Sequence, residues 1–147
     1  MRRSGSDSPS SASSQNSVAE ETKRIARGRA AYASQFRVPE AEAVEELKRL
    51  VGERMAAEAI NAAGGAWVED SLSLRDRSLV VLAALITQGS VDARLRVHVR
   101  WALDHGVTPS ELEALAALLA VYVGYPRASV AMETIRQVLD EEHARQG

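Results

Sequence analysis

The run Leu79–Ile86, LVVLAALI, is apolar at every position. A bilayer-spanning helix needs ~20 such residues, so this run is too short to cross a membrane, and no membrane partner is expected. A helical segment with no polar side belongs at the centre of its neighbours rather than on a surface. Its flanks support a helix. Ser73 followed by Asp76 resembles a capping box ahead of the run, and Gly89 stands where a helix would end. A chain of 147 residues has little material to cover such a helix on both faces by itself, so self-association is expected.

The rest of the chain repeats that pattern of helical spacing cut by glycine and proline. Val18 to Phe36 reads as a polar, amphipathic first helix. Pro39 suits the first turn of a second, which runs to Val51 and ends at Gly52. A third spans Glu53 to Ala63 and is read as stopping at Gly64-Gly65, with Trp67–Leu72 as a connecting loop. Beyond Gly89, Ser90 is the expected cap of a segment from Val91 to His105, closed by Gly106. Thr108-Pro109-Ser110-Glu111 is a strong helix start: hydroxyl cap, proline at the first helical position, glutamate three after the cap. That helix carries the stripe Leu112, Leu115, Ala116, Leu119 and Val123 and ends at Gly124. Pro126 opens the last, whose apolar face includes Ala128, Met132, Ile135, Val138 and Leu139. The fold class is therefore all-α, with six to seven helices.

Residues 4–17, SGSDSPSSASSQNS, are different in kind. They bury nothing that would offset an ordering entropy of roughly 1–2 kcal/mol per residue, so residues 1–17 are read as a disordered tail and 18–147 as one helical domain. The start Met1-Arg2-Arg3 is followed by this polar run rather than an apolar export segment, which points to the cytoplasm.

Composition narrows the chemistry. The 18 Lys+Arg against 20 Asp+Glu, a net charge of -2, give no reason to expect a nucleic acid partner. There is no cysteine, so disulfides, thiolate metal sites and thiol nucleophiles are excluded. The aromatic fraction is 4 %, so the core must be built from Leu, Ala, Val and Ile, which suits close-packed helices. The three histidines are dispersed without a carboxylate at ligand spacing, a poor basis for a metal site. No G-x-S-x-G motif is present, and Ser78 has no recognisable base beside it in sequence.

One histidine stands out. Val91, Leu95, His98 and Ala102 share one helical face, so His98 points along a stripe that should face the core. Such a residue is either a core histidine bonded to a backbone carbonyl or a proton donor or acceptor at the floor of a pocket. His105 and His143, at a helix end and near the chain end, are read as solvated. Asp92 and Arg96 are placed for an i,i+4 ion pair. Arg77 and Arg94 lie near the edge of the His98 stripe; each is either a solvated side chain or, turned inward, a fork for a carboxylate. Trp67, Trp101, Tyr122 and Tyr125 are candidate walls of an apolar cavity, or ordinary core residues at helix ends.

Residues 72–131 carry a set of matching features: Arg75-Asp76-Arg77-Ser78-Leu79, Leu95-x-x-His98 with Arg100-x-Ala102-Leu103, Gly106-Val107-Thr108 before Glu111-Leu112, and Tyr122-x-Gly124-x-Pro126. With these the chain resembles the carboxymuconolactone decarboxylase family. The resemblance implies the all-helical fold shared with alkylhydroperoxidase D proteins, assembled as trimers or hexamers. The peroxidase branch of that superfamily uses a C-x-x-C pair and an upstream glutamate. Those positions fall here on Val91, Arg94 and, at or next to it, Leu79, so thiol peroxidase chemistry is ruled out.

The decarboxylase branch needs no cofactor and no metal. Its implied substrate is a lactone bearing a carboxylate, and its implied tasks are to hold the carboxylates, stabilise an enolate and deliver a proton to carbon. On that reading His98 is the proton donor, Arg77 and Arg94 are anion clamps, and Trp67 and Tyr122 are pocket walls. The alternatives are an isomerase or other proton-transfer activity on the same pocket, and a non-catalytic oligomer that binds a small acid.

Overall fold

A computed structural model describes residues 10–147. Seven α-helices account for most of them, with no strand among the described residues: α1 (Ser10–Phe36), α2 (Glu40–Val51), α3 (Glu53–Ala66), α4 (Leu74–Gln88), α5 (Asp92–Asp104), α6 (Pro109–Val123) and α7 (Tyr125–Gln146). Among the described residues no helix is long and apolar enough to cross a membrane. The chain divides into two compact units between Glu69 and Asp70.

In the first unit α1 packs on α3 and α2. The tail read as disordered overlaps α1, which begins at Ser10; residues 1–9 lie outside the described residues. Extending a helix that already exists adds a hydrogen bond for each residue fixed, so polar serines can continue a helix they would not nucleate. The expected stop at Gly64-Gly65 is also corrected, because α3 runs through both to Ala66. Their role is close approach. A Cβ at Gly28 would lie 1.9 Å from the Ile60 carbonyl oxygen, and one at Gly64 would lie 1.8 Å from the Arg24 carbonyl oxygen. The helices cross backbone to backbone, and Arg24 Nε donates to the Asn61 carbonyl at 2.9 Å across the same contact. Leu47, Ala56 and Ile60 form the core of this unit, flanked by Ile25, Tyr32 and Phe36.

The second unit gathers α4, α5, α6 and α7 around one core that includes Leu82, Ile86, Val99, Leu112, Ile135 and Val138. Its punctuation follows local chemistry. Thr108 and Glu111 form a reciprocal capping box with Pro109 in the first turn of α6, and Ser73 accepts from the Asp76 amide at the head of α4. Gly89 (φ 70°) lets the chain turn out of α4. Ser90 does not cap α5. It sits in the left-handed region at φ 56°, and Val91 takes the N-cap position without a side-chain cap bond. Nor is α4 covered on every side: Ser78, Leu82 and Ile86 are buried, but Val80 is 59 % exposed.

The expected Asp92–Arg96 pair gives way to longer-range partners. Arg96 reaches from α5 to Gln137 and Glu141 of α7, and Arg100 contacts Glu141 at 2.6 Å and Glu142 at 3.2 Å. These bonds hold the Glu141 carboxyl below its ordinary range, Arg96 contributing most. They fasten α5 to α7 on the outside of the core.

Candidate functional site

The middle of α5 positions His98. Leu95, Val99 and Ala102 around it are buried, which fixes the helix's rotation and leaves the imidazole partly buried at the edge of the core. Trp101 meets its ring edge to face, with centroids 4.6 Å apart. Burial, reinforced by the positive charge of Arg94, pushes the imidazole down to about 4, so the ring is neutral at pH 7.

A cavity of about 360 Å³ opens one turn away, where the end of α4, the start of α5 and the start of α7 meet. Leu85, Ile86, Val91, Leu95, Val130 and Ala131 supply its apolar walls. Ser90, Asp92 and Arg127 supply its polar groups. Val91 and Leu95 belong to the same α5 stripe as His98, which lies ~4.5 Å further along the helix axis than Leu95 at 1.5 Å per residue. Val91, where the peroxidase branch would place its first cysteine, is therefore a cavity wall.

The other sequence candidates separate. Arg94, exposed on α5, is near enough to His98 to act on its protonation. Arg77 turns elsewhere: its side chain is only 11 % exposed, its Nε donates to the Leu72 carbonyl at 2.8 Å, and its charge acts on His105. Tyr122 stands on α6 at 77 % exposure. Trp67 caps the end of α3, in the first unit.

A second polar contact was not visible in the sequence. His105, expected to be solvated, is partly buried, and its Nδ1 lies 2.8 Å from the Ser78 Oγ. The same hydroxyl lies 3.0 Å from the Leu74 carbonyl. A hydroxyl has one proton to donate. Both contacts are satisfied when Oγ donates to Leu74 and accepts from Nδ1–H, which leaves the Nε2 of a neutral His105 as the basic nitrogen. Burial lowers the His105 pKa, and the nearby Arg77 charge adds to this against the opposing pull of Asp104. No signal at short range announces this pair, because Ser78 and His105 are brought together only by the packing of α4 on α5. Among the described residues no group of three or more His, Asp or Glu side chains is placed to hold a metal ion.

Comparison with known proteins decides the lineage. The profile of the carboxymuconolactone decarboxylase family matches residues 55–137, more than half of the chain. The chain belongs to that family. A 4-carboxymuconolactone decarboxylase from Acinetobacter baylyi is 35 % identical over 78 residues, which cover 53 % of this chain and 58 % of that relative. The chain thus matches a little over half the length of that decarboxylase. The family match takes in nearly all of α3 and most of the second unit, with His98, Arg77, Arg94 and the cavity walls inside it.

Proposed function

We propose that this member of the family is a cofactor-free carboxy-lyase acting on a carboxylated lactone, as in the degradation of aromatic compounds, and that His98 delivers the proton. The observation that carries the reading is a neutral, partly buried imidazole on the same helical stripe as two walls of a ligand-sized cavity. Small-molecule sites are typically hollows of roughly 300–1,000 Å³ with apolar walls and a few polar groups.

In the proposed reaction the bond to the departing carboxylate breaks, and its electron pair enters the unsaturated lactone carbonyl. Carbon dioxide leaves uncharged, and a proton from His98 goes to carbon. Apolar surroundings favour the step because they disfavour the carboxylate more than neutral carbon dioxide. An imidazole kept neutral by burial beside Arg94 takes up its proton as an anionic substrate arrives, since the incoming charge offsets the repulsion from Arg94. Arg94 is the anion clamp nearest to His98 in this reading. Arg77, turned toward Leu72 and His105, serves as a second clamp only by changing its direction.

Tyr122 shares an exposed face of α6 with Leu118 and Val121, away from the cavity walls. An exposed apolar face of this kind supports self-association, and a homo-oligomer in the cytoplasm is part of the proposal. A second reading, proton transfer next to a carbonyl without loss of carbon dioxide, is favoured by the neutral state of His98, which suits a general base.

The test is carbon dioxide release from 4-carboxymuconolactone by the parent protein and by His98→Ala. Loss of general acid catalysis should lower turnover by about 10²–10⁴-fold. Full retention of decarboxylation in the variant would remove His98 from the reaction. Substrate isomerisation without gas release would select the second reading.

A further inference from the structure

We infer that Arg127 is the carboxylate-recognising group of the α4–α5–α7 cavity, and that the cavity takes a ligand with one carboxylate at its rim and an apolar body inside. The inference deepens the function proposed above and rests on it for the ligand's identity as a lactone acid. The binding event itself is measurable without turnover.

Three observations carry it. First, among the described residues Arg127 is the only cation bordering the cavity, and no motif selects it, since it lies just past Pro126 in the first turn of α7. Second, its guanidinium is held in place. Nη1 donates to the Thr87 carbonyl at the end of α4, and the side chain lies across Gly89, where a Cβ would come within 3.1 Å of Nε. A guanidinium carries five N–H donors in a planar fork, so this anchoring bond leaves donors for a carboxylate. This anchor, on a side chain that is otherwise exposed, reduces what a ligand must order. Third, the walls behind it are aliphatic. By the volume water occupies in the liquid, the hollow has room for about a dozen water-sized molecules, enough for a single ring with substituents.

Asp92 sets the selectivity. Asp92 borders the same cavity, so a second anionic group on that side of the ligand meets like charge, whereas a hydroxyl meets an acceptor. The cavity is thereby matched to one carboxylate placed at Arg127, and Arg94 remains for any second carboxylate closer to His98.

The experiment uses benzoate and its uncharged analogue benzamide as probes, titrated into the full-length protein and followed by amide chemical shifts. Benzoate is expected to bind at least about tenfold more tightly than benzamide, as a charge-assisted fork requires, with shifts centred on Gly89, Ser90, Leu95 and Ala131. Arg127→Met should bring the two probes together in affinity, Arg127→Lys should restore part of the gap, and Asp92→Asn should strengthen benzoate. Equal binding of the two probes to the parent protein, or shifts centred elsewhere, would overturn the inference without any variant. A gap that survives Arg127→Met would do so as well. The two proposals fail separately. Arg127-dependent benzoate binding with no carbon dioxide release from the lactone removes the decarboxylase reading alone. Release by Arg127→Met with an unchanged KM removes the role of Arg127 alone.

Discussion

Acidification from pH 7.5 to pH 5 should cost the fold about 2 kcal/mol through His98 by itself. The imidazole titrates at about 4 in the folded chain, against about 6.5 for an exposed histidine such as the unfolded chain presents. Between those values the unfolded chain binds a proton that the folded chain refuses, so stability rises with pH across that window. The contribution is fully present above pH 6.5 and falls away as the pH drops toward 4. At about 1.4 kcal/mol per pH unit it reaches a loss of about 3 kcal/mol near pH 4.

His98→Gln removes the titration while keeping a polar side chain of similar size. Urea unfolding of both proteins, followed by far-ultraviolet circular dichroism at pH 7.5 and pH 5, gives the difference of differences. The parent should lose about 2 kcal/mol more than the variant. Acidic groups held below their ordinary range, such as Glu111 by its bonds from Thr108 and Glu141 by its arginines, are common to both proteins and cancel in the difference. Parallel pH dependences, or a His98 ring whose resonance titrates near 6.5, would refute both the burial argument and the neutral resting state of His98.

Two further outcomes test the packing. Gly28→Ala places a methyl group against the Ile60 carbonyl and should destabilise the first unit by about 3 kcal/mol, the upper end for overpacking, as a lower urea midpoint. His105 should show a protonated Nδ1 and a bare Nε2 in its imidazole nitrogen shifts above its titration. Ser78→Ala should shift that tautomer balance and cost about 1 kcal/mol of stability; an Nε2–H tautomer in the parent would contradict the bonding pattern.

Helix limits were readable in the sequence where the signal is local and unambiguous. Thr108, Pro109, Glu111 and Gly124 delimit α6 because each satisfies a terminal backbone need of its own neighbours. Glycine is ambiguous, and that ambiguity explains α3. Gly64 has the composition of a stop, yet its purpose is set by Gly28, far away in the chain. The partial burial of His98 was likewise readable from the stripe it shares with Leu95 and Ala102. The partners of Arg77, Arg96 and His105 were not readable. Long side chains choose among groups that only tertiary packing brings near: Arg96 prefers Glu141 across the helix pair to Asp92 on its own helix. Arg127 was missed because nothing in the Pro126-Arg127 step signals that its guanidinium bridges to the end of another helix.

The crossing of α1 over α3 has one more consequence. Where two helices touch through side chains, small slips are absorbed by rotamer changes. Where they touch main chain to main chain, as at Gly28 and Gly64, nothing can rearrange. Sliding α1 by a single residue would bring Arg27 or Arg29 to the crossing, and neither fits. The axial register of the two helices is thus an all-or-none property of one pair of hydrogen atoms.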